Sequence, residues 1–233
     1  MLKSLLLTAA LLAAAAAQAA APRQMALEYD LYRNGQKLGQ VTDTFTRQGD
    51  RYTLTSEMRA TGALKVLWPG TIRLESTGIV TPRGLRPANF RHARSDAPHK
   101  LATAQLDWER HSIAYHYKGR SWQLPDLKVG AQDQLSQLYQ FVFMRKMPAD
   151  FDLQVVSGRD LDVYRYVATD GGELATPLGA LATREYRRIL DAPDDKAVTV
   201  WIAPAHHNLP VQIRVVDDGA TLEQRLVRAS IQG

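Results

Sequence analysis

Apolar and polar residues alternate with period two along most of the chain. Met25, Leu27, Tyr29 and Leu31 alternate with polar neighbours, and so do Tyr52, Leu54, Ser56, Met58 and Ala60. Each run reads as a strand with one buried face. Between the first strand and the run Leu38, Val41, Phe45 stands Asn34-Gly35, a two-residue hairpin signal because both positions tolerate positive φ. Gly39 marks a bend or bulge in the return strand, and Gly49-Asp50 turns the chain into the third strand of a meander. Further alternating runs fall at 72–76, 89–94, 102–108, 113–117, 122–124, 151–155, 161–165, 180–190, 198–203, 210–216 and 221–231. Turns are expected at Lys118-Gly119 and at Asp170-Gly171-Gly172.

One stretch breaks this rhythm. In residues 131–147, Leu135, Leu138, Tyr139 and Val142 recur at the spacing of one helical face. Asp133 precedes them, where a carboxylate can accept the free N–H groups of a first turn. Arg145 and Lys146 suit the negative end of the helix dipole, and Pro148 closes the segment. Phe141, Phe143 and Met144 make the end of the helix apolar nearly all round, so it is expected to be buried on several sides. The pattern therefore predicts an all-β domain: a curved sheet or barrel-like meander of about a dozen antiparallel strands wrapped on one internal helix at about 132–146.

The N-terminus changes the picture of where this domain acts. Lys3 is followed by an apolar run at 5–17 and two A-x-A sites, ending at Ala19 and at Ala21. Residues 1–21 are expected to be a secretory signal peptide cleaved after one of them, leaving 22–233 as a single periplasmic domain. The chain has no cysteine, which excludes disulfides, thiolate metal sites and a lipid-acceptor cysteine. The expectation is a soluble exported protein with no stable membrane insertion once the signal is removed. Loss of Lys3 lowers the formal charge from +5 to +4, a scattered excess that neither demands nor forbids an anionic partner. An export signal and the lack of a recognition motif disfavour nucleic acid.

Five segments in order carry a family resemblance. They are Tyr32-Arg33-Asn34-Gly35-Gln36-Lys37-Leu38-Gly39, Gly84-Leu85-Arg86-Pro87-Ala88-Asn89-Phe90, Asp133-Gln134-Leu135-Ser136-Gln137-Leu138-Tyr139, Thr176-Pro177-Leu178-Gly179, and Trp201-Ile202 with Leu209-Pro210-Val211-Gln212-Ile213. In these the chain resembles the exported bacterial family known as domain of unknown function 3108. It departs from the family pattern at Gln134, where relatives carry proline, and at Ala203-Pro204, where they carry acidic residues. The resemblance implies export and a β-rich, barrel-like fold with an internal helix. It brings no activity and no catalytic residues.

Motifs for chemistry are absent. The six histidines form no ligand pair at helical spacing, and His206-His207 lies in a proline-flanked loop that reads as solvated. No nucleophile elbow, phosphate loop or catalytic carboxylate pair stands out, and Ser136 has no base tied to it. Arg91 and Arg94, and the group Arg184, Arg187 and Arg188, read as charges spread over a wet sheet face. No metal or cofactor is expected. The segment 63–70 is too apolar for an ordinary exposed loop, and Pro69-Gly70 ends it, which places it at a barrel rim.

Two functional readings follow. In the first, a non-enzymatic envelope protein binds an apolar ligand such as a lipid in the barrel interior, lined by Leu64, Leu67, Trp68, Leu138, Tyr139, Val142 and Trp201. In the second, the same aromatics fill the core, and the protein is a structural or interaction component with another envelope protein as partner.

Overall fold

The computed structural model of the protein describes residues 21–67, 69–144, 148–192 and 195–233. Residues 1–20 of the expected signal peptide, Trp68, and the expected basic helix end at Arg145 and Lys146 lie outside them.

The alternation of the N-terminal segments becomes a meander of β1 (Gln24–Arg33), β2 (Gln36–Gln48), β3 (Arg51–Ala60), β4 (Thr71–Thr81), β5 (Gly84–Arg94), β6 (Ala102–Asp107), β7 (Ser112–Tyr117) and β8 (Arg120–Leu124). After the short β9 (Gln132–Asp133) and the helix, the second run is β10 (Asp150–Val156), β11 (Leu161–Thr176), β12 (Gly179–Ile189), β13 (Ala197–Ala203), β14 (Leu209–Asp217) and β15 (Ala220–Gln232). Among the described residues all fifteen join one sheet, in which β15 pairs with β1 and so splices the two runs together. Every pairing is antiparallel except that of β9 with β10. β8 and β9 are the two ends of the sheet and do not pair with each other. The gap between them is bridged by the intervening segment: Leu127 N donates to His111 O at 3.0 Å, and Lys128 N to Gln154 Oε1 at 2.8 Å.

Glycines shape the sheet where the backbone demands them. Asn34 and Gly35 take φ of 48° and 80°, the hairpin geometry expected of that pair. Opposite Leu31 and Tyr32 the register of β2 slips at Gly39, and a Cβ there would stand 2.1 Å from Arg59 O of β3. The expected turn at Asp170-Gly171-Gly172 does not form. β11 runs on to Thr176, and the glycines instead form a bulge, because Gly171 must pass close to Thr183 and Trp201.

The one-turn α1 (Leu64–Leu67) follows β3, and the internal helix is α2 (Ser136–Phe143). α2 is shorter than the pattern suggested. Gln132 and Asp133 pair with Val155 and Val156 of β10, and Gln134 N donates to Val156 O at 2.9 Å, so the helix cannot start before Leu135. Met144 is already extended, with ψ of 130°, which ends it. The expected role of Asp133 holds: its Oδ1 accepts the N–H groups of Leu135 at 2.9 Å and Ser136 at 2.7 Å. α2 stands between two apolar clusters. Tyr139, Val142 and Phe143 pack into the larger one on the β1–β7 side, Phe141 into the one around Tyr166, Tyr186, Val200 and Ile213, and Leu138 against both. That position accounts for a helix apolar on nearly every face.

Candidate functional site

Alternation places one row of β2 inside the sheet, so Asp43, between Val41 and Phe45, is carried inward and is 2% exposed. The Tyr139 hydroxyl of α2 donates to its Oδ2. Tyr29 lies 3.3 Å from Tyr139, hydroxyl to hydroxyl, and donates to Pro210 O at 2.9 Å. Burial raises the Asp43 carboxyl from its ordinary 3.8 to about 6, against the opposing pull of Ser56 and Tyr139. Ser56 is the cross-strand neighbour of Asp43, yet Oδ1 has no well-formed hydrogen bond.

A second inward carboxyl sits at the other end of the helix's first turn. Asp133 is fully buried, and burial raises it to about 6 although Ser76, the backbone N–H groups and Ser136 favour its charged form. Ser76 Oγ donates to Oδ2, and the Tyr52 hydroxyl lies 2.9 Å from Ser76. Both acids are sealed from solvent, so neither can reach a substrate from this position. They tie α2 to the sheet wall.

The open site lies at the rim. Gln140 on α2 reaches the β4–β5 turn, where its Oε1 accepts Leu85 N at 2.6 Å, while Gln132 Nε2 donates to Leu85 O at 2.8 Å. Two side-chain amides thus replace a strand partner for Leu85. Gly84 (φ +114°) leaves room for this, since a Cβ there would stand 2.5 Å from Gln140 Nε2. Beside it opens a cavity of about 370 Å3 lined by Pro82, Leu85, Trp108 and Val129 with Arg83, Arg86, His111 and Gln140 at its polar positions. Trp108 Nε1 donates to Pro87 O at 2.7 Å, and the Arg86 guanidinium lies 4.9 Å from its ring centroid. A wider depression of about 670 Å3 on the outer face of β4–β8 is open, with polar groups such as Asn89 and His116 along its walls.

The side chains expected to line an interior site are distributed differently. Tyr139 and Val142 are buried and Leu138 half-buried, all in the packed core. Leu64 is half-buried on α1, whose Val66 is 85% exposed; the Leu67 side chain and Trp68 lie outside the described residues. Trp201 counts among the larger cluster, but the pleat sends it to the face of β13 opposite Val200, where Arg214 lies over its ring at 5.1 Å. None of Leu64, Leu138, Tyr139, Val142 or Trp201 lines the rim cavity. Arg188, read as a solvated charge, is buried over the Tyr164 ring at 3.9 Å and donates to Lys196 O at 2.7 Å. Among the described residues no three His, Asp or Glu side chains gather as a metal site would require. Asp43 and the cavity residues were missed from sequence. The signal for Asp43 was a charge at an inward position of an alternating strand. The signal for the cavity was the 84–90 segment, which carried the family resemblance without a stated role.

A family described as "Protein of unknown function (DUF3108)" matches residues 28–226, and the chain belongs to it. Among solved structures, a beta-barrel-like protein of domain of unknown function DUF1849 from Brucella abortus is similar over 91% of this chain and 98% of that one, with 13% identity and a TM-score of 0.54. At that identity the likeness shows the barrel-like fold alone. A putative outer membrane lipoprotein-sorting protein domain from Vibrio parahaemolyticus aligns over 90% of this chain and 85% of its own, at 7% identity and a TM-score of 0.29, too low to carry an argument. No curated protein matches the chain.

Proposed function

We infer that this is an exported periplasmic protein of the cell envelope that binds an apolar small molecule such as a lipid, without catalysing a reaction on it. The observation that carries the reading is the rim cavity beside α2, whose floor and walls are Leu85, Trp108, Pro82 and Val129. Val129 is 73% exposed, a large apolar side chain left in water at the cavity mouth. Each methylene buried there would contribute about 0.8 kcal/mol. The signal-like N-terminus supports export. The site is the rim, not the barrel interior, because Tyr29, Phe45, Leu135 and Tyr139 already fill the space around the helix. Native mass spectrometry of protein purified from its own host, with displacement of a fluorescent fatty acid from wild type and Trp108→Ala, tests this. Saturable binding that weakens in the variant while melting changes little is the expected result.

A second reading has its own support. The filled interior, with β8 an open strand edge at one end of the sheet, suits a structural or interaction protein that adds a partner strand. Wild type that binds no fatty acid, with Trp108→Ala only less stable, would favour it.

A further inference from the structure

We propose that the rim cavity takes a single acyl chain ending in an anionic head group, held by Arg83 and Arg86; this deepens the apolar-ligand reading and rests on it. The charge of the lining is one-sided. Arg83, Arg86 and His111 contribute to it, and no Asp or Glu does. Among the described residues neither Arg83 nor Arg86 meets a carboxylate, whereas Arg73, Arg94, Arg110 and Arg165 each have one within 3.5 Å. Other exposed arginines, such as Arg33, Arg51, Arg91 and Arg120, also have no carboxylate partner among the described residues; Arg83 and Arg86 differ from these in lining an apolar cavity that carries no carboxylate.

Geometry fixes one of them in place. Arg86 stacks on Trp108, which is anchored through Nε1 to Pro87 O, so its guanidinium rests on the apolar wall with N–H groups still to donate. Such a group matches a carboxylate or phosphate through charge-assisted hydrogen bonds, which are stronger beside an apolar, partly dry surface. Leu85 lies between the two arginines in sequence, and its backbone is clamped by Gln132 and Gln140, so the spacing of head-group and chain contacts is built into the β4–β5 turn. At about 370 Å3 the cavity is near the lower end of small-molecule sites, with room for one chain and not for a two-chain lipid.

Calorimetric titration of the mature full chain with dodecanoate, dodecyl phosphate, 1-dodecanol and dodecyltrimethylammonium tests the assignment. Both or one of the anions should bind roughly tenfold or more tighter than the alcohol, with the cation weakest; the better anion identifies the carboxylate or phosphate source. The exposed pair Arg83→Gln/Arg86→Gln should abolish that preference without lowering the melting temperature, whereas Lys128→Gln, adjacent in sequence but outside the lining, should retain it. Equal affinity for alcohol and anions, or an equal loss in the Lys128 variant, would overturn the head-group assignment and leave the apolar pocket standing. Absence of binding by all four probes would overturn both.

Discussion

The Tyr139 hydroxyl donates to the Asp43 carboxyl across 96 residues of sequence, joining the buried helix to the second strand of the sheet. Burial of this carboxyl, against the opposing pull of the Tyr139 hydrogen bond, makes stability depend on pH. Because the folded-state carboxyl is raised from 3.8 to about 6, the native protein binds the proton more tightly than the unfolded chain. Stability contributed by this group is therefore full below about pH 4 and is lost as pH rises to about 6, by roughly 3 kcal/mol. Asp133, raised in the same direction, adds to the trend. Chemical denaturation at pH 5 and pH 7 should show a more stable protein at pH 5, and Asp43→Asn should reduce the difference. A wild type equally stable at both values would refute the raised carboxyl.

Gly39→Ala should destabilise by about 2 kcal/mol or more, since the new Cβ would meet Arg59 O and force β2 from β3. Gly49→Ala is the comparison: its Cβ site is open, so only the strain of φ +64° is added, about 1 kcal/mol. Urea midpoints of the two variants decide the order.

Gln140→Leu would leave Leu85 N–H without its acceptor and remove the amide that holds the β4–β5 turn. The expected cost is about 1–3 kcal/mol. Fatty-acid binding at the rim should weaken as well, because Leu85 lines the cavity. Parallel melting and binding curves would reveal a turn that matters to stability alone if affinity is unchanged.

Export should remove the N-terminus after Ala19 or Ala21, each of which completes an A-x-A site. Amino-terminal sequencing of the periplasmic form checks this. An intact Met1 in the membrane fraction would contradict it.

The sequence by itself determined the strand-rich class, the Asn34-Gly35 hairpin, the bulge at Gly39, the capping role of Asp133 and the apolar faces of the helix. All of these are local: period, turn conformation and end-capping depend on residues within a few positions of one another. The tertiary structure alone decided the rest. The splice of β15 onto β1, the bulge at Gly171 in place of a turn, and the late start of α2 depend on pairings with distant strands. Asp43 meets Tyr139, and Leu85 meets Gln132 and Gln140, only once the sheet has curved around the helix. The ligand site we propose lies at the rim, where Leu85, Trp108 and Arg86 meet. Interior side chains of the right period can fill a barrel or line a cavity, and only packing in three dimensions distinguishes the two.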